Sequence, residues 1–234
     1  MNLILLEPGD FVAPDRVVLR DRRCQHVRKI HRAVPGDELR VGKLGGAMGT
    51  GRVQRLERGH LEMTLLLDRD PPPPVDLTLA VALPRPHSLQ KLLQYATAMG
   101  VKRFALFHSA RVEKSYWDSS ALAPDALRRH LMLGLEQGVD TILPEVSLCR
   151  GWGRFIDEVL PTLGTPIFVA HPDGRSTLGR GELSPAVLVI GPEGGLLADE
   201  IQRLRSVNGV RTVSLGRRVL RVEAAVVALL ARLF

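Results

Sequence analysis

The chain has 234 residues, 45% of them hydrophobic, and a formal net charge of +7, which suits one large or two modest domains. No segment approaches the apolar length needed to span a membrane and no basic-then-apolar secretory start is present, so a cytoplasmic protein is expected. Cys24 and Cys149 lie far apart without metal-ligand spacing, so both are read as inert thiols and no metal site is expected.

In chain order, residues 37–41, 51–56 and 61–67 read as short strands separated by glycines. They predict a small β-barrel over residues 1–70, too small to be very stable alone. The cluster Gly45-Gly46-Ala47-Met48-Gly49-Thr50-Gly51 lacks the Lys-Ser/Thr of a phosphate-binding loop and reads as a hairpin turn. Pro71-Pro72-Pro73-Pro74 must run extended as a semi-rigid spacer, which places a linker at residues 71–76. Beyond it the pattern alternates. Strands are predicted over 77–83, 104–107, 166–170, 186–190 and 210–215, and helices over 88–99, 124–136, 154–160, 197–207 and 222–234. That alternation predicts an α/β domain over 77–234 with a mostly parallel sheet covered on both faces. The last helix is apolar nearly all round and must be buried, in the core or against a second subunit.

Two glycine-broken segments carry the chemistry. In Val187–Leu196 and again in Val213–Ala225, an apolar run of strand length meets glycine, then a short loop, then a helical pattern. Such loops sit at the carboxyl ends of strands, where open α/β sheets bind ligands. Gly191, Gly194 and Gly195 leave room for a ligand to approach the backbone, and Pro192 stiffens the loop. Glu193 is the one charge there. It supports the start of the 197–207 helix or it takes part in catalysis. Gly216 opens the second loop, which Arg217, Arg218 and Arg221 crowd with positive charge. That is a solvated basic turn or a seat for an anion. His171 precedes the turn signal Pro172-Asp173-Gly174. It is a simple turn histidine or a contact from a third loop.

Charge is uneven along the chain. Residues 131–200 hold 4 basic and 10 acidic groups, and residues 201–234 hold 7 basic and 1 acidic. Near the N-terminus, Arg16, Arg20, Arg22, Arg23, Arg28, Lys29 and Arg32 face only Asp21 in the local sequence, which makes them candidates for phosphate contact. Aromatic residues are scarce, at 4%, and only Phe11 precedes the prolines. Base stacking needs such rings or stacked arginines, so a reader of backbone and shape in folded RNA is expected.

Ile190-Gly191-Pro192-Glu193-Gly194-Gly195 together with Leu215-Gly216-Arg217-Arg218-Val219-Leu220-Arg221-Val222-Glu223 resembles the paired signature of the SPOUT methyltransferases. More closely it resembles the bacterial 16S ribosomal RNA uridine-N3 methyltransferases of the RsmE type. The resemblance covers nearly the whole chain. It implies an N-terminal PUA-like β-barrel that binds RNA. It also implies a C-terminal SPOUT domain with a trefoil knot that binds S-adenosylmethionine and forms a homodimer. Under it, the cofactor contacts fall on Leu83, His171, Ile190, Gly191, Glu193, Gly194, Gly195, Leu215, Gly216, Val219 and Leu220. Arg221 is the candidate catalytic cation and Glu193 the candidate proton acceptor, while Arg85, Arg217 and Arg218 join the candidate RNA contacts. Glu223 is read as structural, binding an arginine or a helix end. The implied partner is 16S ribosomal RNA within the small subunit. The chain departs from the family pattern at His31, at Arg85, along Tyr95–Gly100 and at Ala224, which stands where threonine commonly follows the glutamate.

Two rival readings remain on the sequence. A ribose 2′-O-methyltransferase of the same superfamily typically carries Ser-Leu-Asn after the second glycine loop. This chain has Leu220-Arg221-Val222-Glu223 instead. A non-enzymatic ribosomal RNA-binding or assembly factor predicts basic surfaces without need of two intact glycine loops.

Overall fold

The protein is described here from a computed structural model, over residues 1–174 and 186–233. The described chain divides into two compact units. One comprises residues 1–73 with 132–143, the other residues 74–131 with 144–234.

The first unit is built on a six-stranded mixed sheet, in the spatial order β1-β4-β5-β6-β3-β2. The long hairpin β5 (Met48–Glu57) and β6 (His60–Arg69) forms its middle. β4 (Glu38–Lys43) pairs antiparallel with β5, and β1 (Ile4–Leu6) pairs parallel with β4. β3 (Arg16–Leu19) lies beside β6, and β2 (Phe11–Ala13) closes the other edge. Strands β1 to β3 were not anticipated, because three or four residues are too few to display an alternation.

The alternation is nonetheless present in β1 and decides the domain boundary. Ile4 and Leu6 point into a core with Val17, Leu19, Val41, Val53, Leu61 and Met63. Leu3 and Leu5 point to the opposite side and are covered by Met132 and Leu135. A strand buried on both faces needs a second layer. The end of helix α3 (Pro124–Gly138) supplies it, which is why residues 132–143 belong to this unit rather than to the segment that surrounds them in sequence.

The basic N-terminal cluster does not form one solvated face. Asp21 caps helix α1 (Arg22–His26) by accepting from the Arg23 N–H at 2.9 Å, and a π turn (Val27–His31) continues the coil. Arg23 is 6% exposed. Its guanidinium forms a two-pronged pair with Asp10, at 2.7 and 2.8 Å, and donates to Asp21 at 3.0 Å. Arg23 is therefore a structural ion-pair residue and not a phosphate contact. Arg22 is engaged as well, both of its terminal nitrogens donating to the buried Glu136, at 3.0 and 2.6 Å. Arg16 lies 3.7 Å from Glu62. Arg20, Arg28, Lys29 and Arg32 remain exposed.

The second unit carries an all-parallel six-stranded sheet in the order β12-β10-β11-β7-β8-β9. β7 (Val75–Ala82) and β8 (Val101–Phe107) run nearly continuously apolar, as strands covered on both faces do. β10 (Ile167–Ala170), β11 (Ala186–Ile190) and β12 (Val210–Val213) form the other half of the sheet. β12 stops two residues short of its predicted end because Ser214 turns away to bond Pro172 O and the Gly216 N–H. The edge strand β9 (Glu145–Cys149) is half exposed and gave no apolar run to detect. The predicted 154–160 helix is a coil of mixed pitch, α4 (Trp152–Arg154) followed by π and 3₁₀ turns.

Helix α2 (Pro86–Ala98) packs against α6 (Val222–Leu233). In α6, Val222, Val226, Leu229, Leu230 and Leu233 are buried within the chain, while Ala224 and Ala231 are exposed. Phe234, the last residue of the predicted 222–234 helix, and residues 175–185 lie outside the described residues. Among the described residues no helix is long and apolar enough to cross a membrane.

Arg23→Met removes the cation and leaves the largely buried Asp10 carboxylate with only the Glu7 N–H among the described residues. It should cost about 3–5 kcal/mol, measured as a fall in the urea midpoint of the first unit. Burial works against the Asp21 carboxylate, but Arg23 and Arg22 hold it below its ordinary value. Its stabilisation is thus full above the ordinary carboxylate range and lost as pH falls through the folded value. Asp21→Asn should flatten the acid limb of the stability curve.

Candidate active site

Three loops leave the carboxyl ends of β10, β11 and β12, which the sheet holds side by side. The loop after β11 makes a tight turn in which the Gly195 N–H donates to Pro192 O at 2.8 Å. Each glycine there has its own reason. Gly195 has φ +72°, a left-handed conformation that a side chain resists. A Cβ on Gly191 would stand 3.0 Å from the Leu196 side chain. A Cβ on Gly194 would stand 3.1 Å from Cδ of Arg111, whose stem lies against that position.

The turn is also held from outside. The Arg85 N–H donates to Glu193 Oε1 at 3.0 Å, and the Arg111 guanidinium donates to Gly194 O. Arg85 is the residue before helix α2. Glu193 therefore braces the start of α2 and not the helix that follows it in sequence, α5 (Ala198–Arg205). That helix is capped by Glu200, whose Oε2 accepts from the Leu197 N–H at 2.8 Å.

The loops after β10 and β12 are bonded to each other. The His171 N–H donates to Val213 O at 2.9 Å, and the Ser214 hydroxyl donates to Pro172 O at 3.0 Å. Gly174 lies against the backbone at Val213–Ser214, where a Cβ would stand 2.3 Å from the carbonyl carbon of Val213. Gly216 has φ +104° and turns the chain into the basic stretch.

Between the three loops lies a cleft of about 440 Å³. His171, Ile190, Gly191, Glu193, Gly194 and Gly195 line it from one side, and Leu215, Gly216, Arg218, Val219 and Leu220 from the other. Of the expected cofactor and catalytic residues, two are not in the lining, Leu83 and Arg221, and neither is Arg217, an expected RNA contact. Leu83 is 1% exposed, and its N–H donates to Phe107 O at 2.8 Å, so it is a core residue beneath the site. Arg217 and Arg221 are exposed outside the lining, and Arg221 serves as the start of α6 through its carbonyl, which accepts from the Ala225 N–H. Glu223, in the first turn of α6, is 8% exposed, and its Oε2 has no hydrogen-bond partner among the described residues.

Sequence reasoning missed Arg111, Asp173 and Ser214, all of which line the cleft. Asp173 and Ser214 stand beside residues that were singled out. Arg111 is 80 residues before the motif it touches and lies in a segment without periodicity, so no local signal marks it. Among the described residues no cluster of side chains is arranged to hold a metal ion.

A parallel sheet with its cleft at the carboxyl ends of adjacent strands, walled by backbone and apolar side chains, defines a ligand-binding α/β domain. The family model of the RNA methyltransferase domain matches residues 71–234, and the chain belongs to that family. Curated relatives include the ribosomal RNA small subunit methyltransferase E of Treponema pallidum, 28% identical, with 97% of this chain and 88% of that protein covered. The protein of the same name from Synechocystis is 25% identical, with 95% and 75% covered. Among solved structures, a ribosomal RNA small subunit methyltransferase E from Neisseria gonorrhoeae bound to S-adenosyl methionine has a TM-score of 0.75. It is 23% identical, with 99% of this chain and 95% of that one covered. The putative methyltransferase Lpg2936 of Legionella pneumophila, in complex with the same cofactor, has a TM-score of 0.72 at 22% identity, with 98% and 95% covered.

Gly174→Ala forces a methyl group onto the Val213–Ser214 backbone. It should cost about 1–3 kcal/mol by overpacking, read as a lower thermal midpoint of the second unit. Gly153→Ala, in the same unit and with nothing within 4 Å of the added carbon, controls for the loss of a glycine without overpacking.

Proposed function

We propose that this protein transfers a methyl group from S-adenosylmethionine to N3 of a uridine in 16S ribosomal RNA. The observation that carries the reading is the cleft, bounded by three braced backbone loops in a domain of the RNA methyltransferase family. Its volume suits a ligand of that size. Ile190, Leu215, Val219 and Leu220 offer an apolar slot for an adenine, and the turn offers backbone groups for its polar edge. The names of the curated relatives support ribosomal RNA of the small subunit as the substrate.

When bound, S-adenosylmethionine supplies a methyl group on a sulfonium, which leaves as a neutral thioether. Uridine N3 is a poor nucleophile until its proton departs, and positioning contributes much of the rate. Glu193 is the proposed proton acceptor. One carboxylate oxygen is held by the Arg85 N–H, which fixes the other relative to the cleft. The N3 proton goes to Glu193 as the new N–CH₃ bond forms. The negative charge that develops over N3 and its flanking carbonyls needs cations. Arg218 lines the cleft and takes this role there, Arg111 has its guanidinium on Gly194 O, and Arg221 acts at the mouth of the cleft. N3 lies on the pairing edge of the base, so the uridine must be unpaired or extruded. In the first unit, Arg20, Arg28, Lys29 and Arg32 are the proposed phosphate contacts.

We further propose that the protein works as a homodimer in the cytoplasm. Val219 is 81% exposed and Leu220 44%, and both border the cleft, which supports an apolar partner closing over the second loop. Light scattering at micromolar concentration should report a dimer, and a monomer would contradict it.

Glu193→Gln and Arg218→Ala should each lower methyl transfer about 10²-fold or more, with S-adenosylmethionine affinity measured by calorimetry falling by less than about tenfold. Mass spectrometry of the digested product RNA should show 3-methyluridine. A 2′-O-methylated nucleoside would instead favour the ribose-modifying reading, and the absence of any modified nucleoside would favour the non-enzymatic one.

A further inference from the structure

Glu200 does more than cap its own helix. It lies in the first turn of α5, is 6% exposed, and forms no ion pair among the described residues. A buried carboxylate without a counter-ion must be held by hydrogen bonds. Capping uses one oxygen, Oε2, on the Leu197 N–H. The other oxygen, Oε1, accepts from the Ala110 N–H at 2.8 Å, in the loop after β8 and 90 residues away in sequence.

Ala110 is joined directly to Arg111. The Arg111 guanidinium donates to Gly194 O, and its stem fills the space where Gly194 lacks a side chain. The contacts close a ring. It runs from Gly194 through Leu197 to Glu200, across to Ala110, and through Arg111 back to Gly194. The C-terminal half of the turn that faces the cleft, Gly194 to Leu197, is thus tied to one buried acid.

We propose that Glu200 is a positioning residue for the cleft, acting through Arg111. It holds the 110–111 backbone where the guanidinium meets Gly194 O, and so fixes the orientation of the Gly194–Gly195 peptide toward the ligand. The effect on ligand affinity rests on the reading of the cleft as the methyl-donor site. The brace itself does not, and it is testable in the free protein.

Glu200→Asp is the informative variant. It keeps a negative charge at the helix N-terminus, where either acid is favourable, but it is one methylene too short to span both amides. Hydrogen–deuterium exchange over residues 190–197 is measured in the free protein for wild type, Glu200→Asp, Arg111→Ala and the double variant. Each single variant should exchange about tenfold faster there, the size of effect expected for one lost charge-assisted hydrogen bond. The double variant should be no faster than the faster single, because both substitutions break one ring. In calorimetry, S-adenosylmethionine affinity should fall about tenfold in each single variant, and in Glu200→Asp the donor KM should rise with kcat at saturating donor within about twofold. Glu200→Gln, which keeps the length but loses one acceptor, should fall between wild type and Glu200→Asp.

Wild-type exchange in Glu200→Asp, or effects that add in the double variant, would overturn the proposal and leave Glu200 a simple helix cap. Faster, non-additive exchange in a protein whose wild type binds no S-adenosylmethionine would support the brace and sink the reading of the cleft. If Glu200→Asp unfolds, Glu200→Gln is judged by the same two criteria.

Discussion

The site depends on one constraint. A tight turn after β11 must present its backbone to a ligand, and a turn built largely of glycine is too loose to do so unaided. Here Gly191–Leu196 is held by bonds to the residues that follow two other strands, Arg85 after β7 and Arg111 after β8. A parallel sheet makes this possible. It delivers the carboxyl ends of β7, β8, β10, β11 and β12 to one edge, so loops far apart in sequence become neighbours. The loops after β10 and β12 are tied to each other in the same way, through His171, Ser214 and the bare Cα of Gly174. The cleft is thus a rigid gap between braced loops.

Charge is divided between support and recognition. Arg23 and Arg22 satisfy Asp10, Asp21 and Glu136 inside the first unit. Removing Arg23 or Asp10 leaves the other of these two largely buried charges without its partner. Arg111 does similar work in the second unit, where its acceptor is a backbone carbonyl. Exposed arginines such as Arg20, Arg28, Arg32, Arg217, Arg218 and Arg221 are available to meet a polyanion. A composition count cannot separate these groups, because the same side chain serves both ends.

The α/β class, the parallel sheet, all five predicted C-terminal strands to within three residues, and both glycine loops were legible in the sequence. Apolar runs and glycines carry that information directly. The first three strands were not legible, being too short to alternate visibly, and neither was the return of residues 132–143 to the first unit. That return is written only in the double-sided burial of Leu3 and Leu5, a tertiary fact. Arg23 looked like part of a basic face because Asp10 is 13 residues away in sequence and adjacent only in the fold. Leu83 sat at the right corner but points into the core. Arg111 and Glu200 were invisible for the same reason as Asp10. Their partners, Gly194 and Ala110, lie 83 and 90 residues distant.

The account turns on where the methyl donor sits. Hydrogen–deuterium exchange with and without saturating S-adenosylmethionine addresses this directly. Protection should appear in three segments together, residues 171–174, 190–197 and 213–220, with β4 to β6 of the first unit unchanged. Protection confined to the separate hollow bordered by His108, Trp152 and Arg203, or no protection in any of the three loops, would contradict it.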